Sequence, residues 1–155
     1  MRKYKELMEL LAEKKEILTT YERVTDGMLG DSLEAVDAIL TGMQKRQELI
    51  GETDLLDAHI RQLCGLEEVR LSGIIKNRCD YAGLSDEEQE LFRAGQEILG
   101  ILCRIREKDQ ALAVCMNKIR EKLQEKIRQS NTNTKFAGYL NRNDTSTGVL
   151  YDKKR

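Results

Sequence analysis

The side chains able to do chemistry are few and scattered. The single histidine, His59, has Asp57 two positions away, but no serine or cysteine stands beside it for it to activate. A nucleophile needs its base within hydrogen-bond reach and a third group to orient that base. The four cysteines, Cys64, Cys79, Cys103 and Cys115, are spaced too widely for the close pairs of a zinc knuckle or a redox CxxC. They read as reduced structural thiols that pack as small hydrophobes. Adjacent carboxylates occur at Glu67-Glu68 and Glu87-Glu88, but in a chain that is 34% charged they read as solvated faces and helix starts. No glycine-rich phosphate loop and no HExxH is present. The expectation is therefore a binding protein and not an enzyme, with no catalytic residue, no metal and no cofactor.

The elements that would carry such residues are helices. The 155 residues include no proline and no tryptophan, where about 5% proline is ordinary. Ala, Glu, Lys, Leu and Arg supply nearly half of the chain, as in coiled coils and long helices. The β-branched and aromatic residues that strands favour are scarce. With 26 basic residues against 27 acidic, the net charge of −1 gives no footprint for nucleic acid. The start, Met1-Arg2-Lys3-Tyr4-Lys5-Glu6, lacks a signal-peptide core, and no apolar run reaches membrane-span length. The fold class expected is an all-α, antiparallel three-helix coiled-coil-like bundle with long helices and a flexible C-terminal tail. Its expected compartment is the cytoplasm, without membrane insertion.

Periodicity divides the chain into a bundle over 1–130 and a tail over 131–155. The first helix, about 2–27, carries Leu7, Leu10, Leu11, Ile17, Leu18, Tyr21 and Val24 on one stripe. The break Gly27-Met28-Leu29-Gly30-Asp31-Ser32 follows. Gly27 or Gly30 could supply a left-handed residue there, and Asp31 or Ser32 could cap the next helix. The second helix spans about 33–77, with interruption at its glycines left open, and Cys79-Asp80-Tyr81-Ala82-Gly83 reads as a loop. Ser85-Asp86-Glu87-Glu88 is a capping box that opens the third helix, 86–129. That helix runs nearly five heptads through Leu91, Ile98, Ile105, Leu112 and Ile119. Asp109 stands at a core position of these heptads, where a polar residue fixes register more often than it does chemistry. Leu99, Ile101, Cys103, Ala113 and Val114 add apolar surface outside the seam, either for a wider core or for a partner helix.

The candidate binding residues lie at the end of this helix and in the tail. Leu112, Met116, Ile119 and Leu123 are expected to mix core and groove roles and so to hold a client. The runs Ser130-Asn131-Thr132-Asn133-Thr134 and Asn141-Arg142-Asn143-Asp144-Thr145-Ser146-Thr147-Gly148 read as breakers. The apolar islands Phe136, Tyr139, Leu140 and Val149, Leu150, Tyr151 between and after them read as partner-docking motifs in a segment disordered when free. If ordered, Phe136, Tyr139 and Leu140 should share one side of a short helix, buried in a groove or against a neighbour.

Three stretches together resemble the FlgN-type flagellar export chaperones of bacteria. They are the hairpin Asp31-Ser32-Leu33-Glu34-Ala35-Val36 leading into Lys45-Arg46-Gln47-Glu48-Leu49-Ile50, the tail motif Lys135-Phe136-Ala137-Gly138-Tyr139-Leu140, and the ending Gly148-Val149-Leu150-Tyr151-Asp152-Lys153-Lys154-Arg155. The resemblance implies a cytosolic, non-enzymatic chaperone. It would bind the terminal segments of hook-associated (hook–filament junction) proteins and deliver them to the flagellar type III export apparatus, with Tyr139 at the position that contributes to docking on the export gate. A chaperone of the filament-cap protein and a structural coiled-coil homodimer are the alternative readings.

Overall fold

The computed structural model describes residues 2–144. Its helices are α1 (Arg2–Met28), α2 (Val36–Cys64), α3 (Glu68–Ile75) and α4 (Asp86–Asp144), joined by 3₁₀ turns at Leu33–Ala35, Gly65–Glu67 and Tyr81–Gly83. No strand occurs among the described residues. The all-α bundle is thus built on three long helices, the second of which is split at Gly65 into α2 and the two-turn α3.

Cross-helix partners give the directions. Lys15–Glu97, Glu22–Arg104 and Asp26–Lys108 are all 82 residues apart, so α1 and α4 run parallel. Lys3 meets Glu67 and Lys14 meets Asp57, a pairing that descends along the second segment as it climbs the first. Helices α1 and α2 are therefore antiparallel. Helix α1 packs along both α2 and α4, whereas α2 and α4 rarely approach each other closely.

Helix α3 occupies part of the seam so left between α2 and α4. Gly65 has φ +57° and ψ −126°, a conformation that disfavours side chains with a Cβ, and the chain reverses there. Asn77 ends α3 with φ +58°. Its amide donates to the Ile74 carbonyl, and the Arg78 amide donates to the Gly73 carbonyl at 2.7 Å. That is the pairing of a Schellman motif with asparagine in the left-handed position. Asn77 Nδ2 also reaches the Phe92 carbonyl of α4 at 2.9 Å. The backbone of α3 lies so close to α4 that a Cβ on Gly95 would overlap the Ile75 carbonyl. Leu71 and Ile74 complete a core with Leu7, Leu11, Ile60, Cys64 and Leu91.

The capping box forms as read: the Glu88 amide donates to Ser85 Oγ at 3.3 Å, and Glu88 Oε1 accepts from the Ser85 amide at 3.1 Å. Other expectations need correction. Neither Gly27 nor Gly30 has positive φ. Gly30 serves close packing instead, since a Cβ there would stand 2.9 Å from Ala35 Cβ. Ser32 precedes the 3₁₀ turn without a capping hydrogen bond from its side chain. The loop read at 79–83 contains the 3₁₀ turn Tyr81–Gly83. Ile101 is a core residue, while Leu99 and Val114 are exposed.

The largest difference concerns the end of the third helix. It continues without a break through the polar run to Asp144, so the described part of the tail is helical. Serine, threonine and asparagine each cost at most about 0.7 kcal/mol against alanine inside a helix, and no proline interrupts the run. Thr132 and Thr134 also turn their hydroxyls back onto the carbonyls of Arg128 and Ser130, so they do not draw the backbone out of the helix. Val149, Leu150 and Tyr151 lie outside the described residues.

Candidate functional site

Beyond the end of α3 the seam stays open. On α2, Val36, Leu40, Met43, Gln47, Ile50 and Asp54 recur at steps of four and three. On α4, Leu102, Ile105, Asp109, Leu112, Met116, Ile119 and Leu123 recur at steps of three and four. These are heptad spacings, the pattern that faces a partner helix. Leu18 and Tyr21 of α1 form the floor. Three hollows of about 220, 340 and 220 Å³ follow one another along the groove. At ~1.5 Å per residue, the stretch from Leu102 to Leu123 measures about 32 Å.

The groove is apolar and incompletely covered. Ile39, Leu112 and Ile119 are buried with Met28 in a small core beneath it. Above them Leu40, Met43, Ile50, Leu102, Met116 and Leu123 are between 37% and 59% exposed. The four residues read from sequence as client-binding are thus brought together here, Leu112 and Ile119 at the floor, Met116 and Leu123 at the wall. Sequence reasoning missed the opposite wall. The signal for it was present in the same steps of four and three along 36–54. Gly42, read as a weakness in α2, is where Met28 packs: a Cβ would overlap the Met28 side chain.

One polar layer crosses the groove at mid-length. Arg46 lies 4.5 Å above the Tyr21 ring and its Nη2 stands 3.0 Å from Asp109 Oδ1. The nitrogen is off the hydrogen-bond direction, so this oxygen, hidden from solvent, has a charge partner but no hydrogen-bond donor.

The islands of the α4 extension are not gathered into the groove. Phe136, Tyr139 and Leu140 do share one side of the helix, yet they are exposed, as is Ile127. Among the described residues no surface of the chain covers them.

Electrostatics beside the groove hold α1 to α4. Glu22 accepts from Arg104 Nε at 3.0 Å and from Lys108 Nζ at 2.8 Å. The hydrogen bond from Arg104, then that from Lys108, holds its carboxyl below the usual range. Lys108 also donates to Asp26, and these two hydrogen bonds raise its ammonium above the usual lysine value. Of the cysteines only Cys64 lies in the core, where burial pushes its thiol up; Cys79 and Cys103 are exposed, which corrects their reading as packed thiols. His59 is on the surface. Among the described residues no group of three or more His, Cys, Asp or Glu side chains could hold a metal ion, and no helix is long and apolar enough to cross a membrane. No protein-family model, curated protein or solved structure matches the chain.

Proposed function

We propose that this protein is a non-enzymatic, cytoplasmic export chaperone of the FlgN type that holds the amphipathic terminal helix of a hook-associated flagellar protein in the α2–α4 groove. The observation that carries the reading is the groove itself: two heptad-spaced walls with no described residue in the fourth-helix position between them. Apolar surface arranged in a long groove is the form that helix-in-groove recognition takes, and large exposed apolar patches mark interaction sites. The specific client class and delivery to the export apparatus come from the resemblance of the hairpin and the tail motif. Tyr139, exposed on the α4 extension, is free to serve in docking on the apparatus.

The test is titration calorimetry of the purified chain with a purified hook-associated protein, with and without the client's terminal segment. Binding that disappears with the segment, and with Met43→Asp in the groove, supports the reading. Unchanged affinity in both sinks it. A second reading has its own observation. The exposed Ile127, Phe136, Tyr139 and Leu140 on the α4 extension suit a coiled-coil homodimer. Light scattering showing a concentration-independent dimer that Phe136→Asp and Leu140→Asp dissociate would favour it.

A further inference from the structure

The groove is mostly apolar; apart from Thr53 and Asp54 at one end and Arg120 at the other, its polar groups gather in one layer, where Arg46, Gln47 and Asp109 face it above Tyr21. In a bundle of heptad helices such a layer is completed by every helix that borders it. Here three helices contribute and, among the described residues, none takes the fourth position. The layer is accordingly short of partners. The Arg46 side chain is only 15% exposed. Besides the ion pair with Asp109 and the stacking on Tyr21, its guanidinium has only the weak acceptor Met28 Sδ, 4.0 Å from Nη1, among the described residues. The Asp109 side chain is 40% exposed as a whole, but its Oδ1 is hidden from solvent and lacks a donor.

Resting on the reading of the groove as a helix-binding site, we propose that this layer is the register lock, and that the bound helix carries an asparagine or glutamine here between two apolar stretches. The chemistry selects the amide. Its carbonyl accepts from the Arg46 guanidinium while its NH₂ donates to Asp109, so one side chain serves both groups at once. A carboxylate would suit Arg46 and repel Asp109; an ammonium would do the reverse. A leucine would seal both charged groups from water without giving either a hydrogen bond, and an unsatisfied buried charge is costly. A polar residue at one core position is also the known means by which heptad helices choose register. Below the layer the occupant meets Val36, Leu40, Met43, Met116, Ile119 and Leu123. Above it the groove continues past Leu18, Ile50, Leu102 and Ile105 toward the end of α3. Apolar residues are expected on the occupant at both places, about three turns apart.

The probe is a pair of labelled 21-residue synthetic helices. Both carry leucine at the core positions of three heptads and lysine and glutamate elsewhere, and they differ only in asparagine or leucine at the central core position. At nanomolar concentration neither self-associates. Fluorescence anisotropy with the full chain should show the asparagine peptide binding at least tenfold tighter. In Arg46→Met/Asp109→Leu, checked for helix content by circular dichroism, the preference should fall below twofold. If that variant fails to fold, Arg46→Lys, which keeps the charge but not the planar fork, should cut the preference at least threefold. Equal binding of both peptides to the natural chain, tighter binding of the leucine peptide, or a preference that survives the substitutions overturns the register lock and leaves the groove reading standing. Binding of neither peptide overturns the lock together with the groove as a general helix site.

Discussion

The seam between α2 and α4 is built in two ways within one molecule. At one end α3 lies in it, and Leu71 and Ile74 are buried against Leu7, Leu11 and Leu91. At the other end the same two helices present the same heptad spacing, and none of the described residues fully covers Leu40, Met43 or Met116. The difference is that α3 fills the seam at one end, whereas no described element fills it at the other. A two-turn helix is not stable alone. Helix α3 holds because Gly65 reverses the chain beside its docking place, Gly95 lets its backbone approach, and Asn77 ties its end to Phe92. The closed end therefore anchors the bundle, and the open end can keep apolar walls apart without collapse. In this view a substitution in the closed seam is a folding defect and one in the open seam is a binding defect.

The largest effect should come from Leu71→Ala. A fully buried leucine truncated in a packed core costs about 2–5 kcal/mol, to be read from guanidinium denaturation midpoints at constant slope. The matching truncation in the open seam, Met116→Ala, should cost under about 1 kcal/mol, because that side chain is 37% exposed already. Equal losses at the two sites would mean that the groove is ordinary core, and the comparison would collapse.

Next in size is Gly95→Ala. The new methyl meets the Ile75 backbone, not a flexible side-chain end, so α3 must lift. Overpacking of this kind costs about 1–3 kcal/mol. Limited proteolysis should cut first in the 65–85 segment of the variant. Unaltered proteolysis would show that α3 contributes little to closing that end.

What the sequence made legible follows from how local each signal was. The capping box at Ser85 and Glu88 and the apolar stripe of α1 are set by residues within a few positions of each other, and both stand in the structure. The fold-back of α3 was not legible, since its causes are a positive φ at Gly65 and a backbone contact between Ile75 and Gly95, distant in sequence. The same holds for the groove. The α4 wall, Leu112 to Leu123, could be read from one helix, whereas the facing wall at Val36 to Asp54 emerges only when two helices are set side by side. The helical extension past Gln129 is not legible from its polar run, because serine, threonine and asparagine are weak helix formers and not breakers.

A smaller effect on stability, and a larger one on binding, is expected from Leu40→Asp and Met43→Asp in the open wall. Both side chains are already exposed, and such surface changes usually stay within about 0.5 kcal/mol. If the groove holds a helix as proposed, affinity for that helix should fall severalfold while the thermal midpoint hardly moves. A midpoint that drops as for Leu71→Ala would place these residues on the folding side of the comparison.

The smallest effect concerns how the open end stays together without a fourth helix. Level with the groove, Glu22 and Asp26 of α1 grip Arg104 and Lys108 of α4. The unfolded Glu22 carboxyl titrates near 4.5, and in the folded chain the two cations hold it lower. A depressed carboxylate contributes stability above its unfolded value and loses it as the pH falls through the folded one. The contribution should therefore be complete at pH 6–8 and fade below about 4.5. Comparing thermal midpoints of the natural chain with Glu22→Gln, the gap should be constant from pH 8 down to 6 and close as the pH falls below that value. Hydrogen exchange should place the acid-induced loosening in α1 and α4 beside the groove, not around Leu71. A gap that stays constant down to pH 3 would mean that the cluster does not sense protonation, and the grip of α1 on α4 would then rest on the buried residues Met28, Leu112 and Ile119.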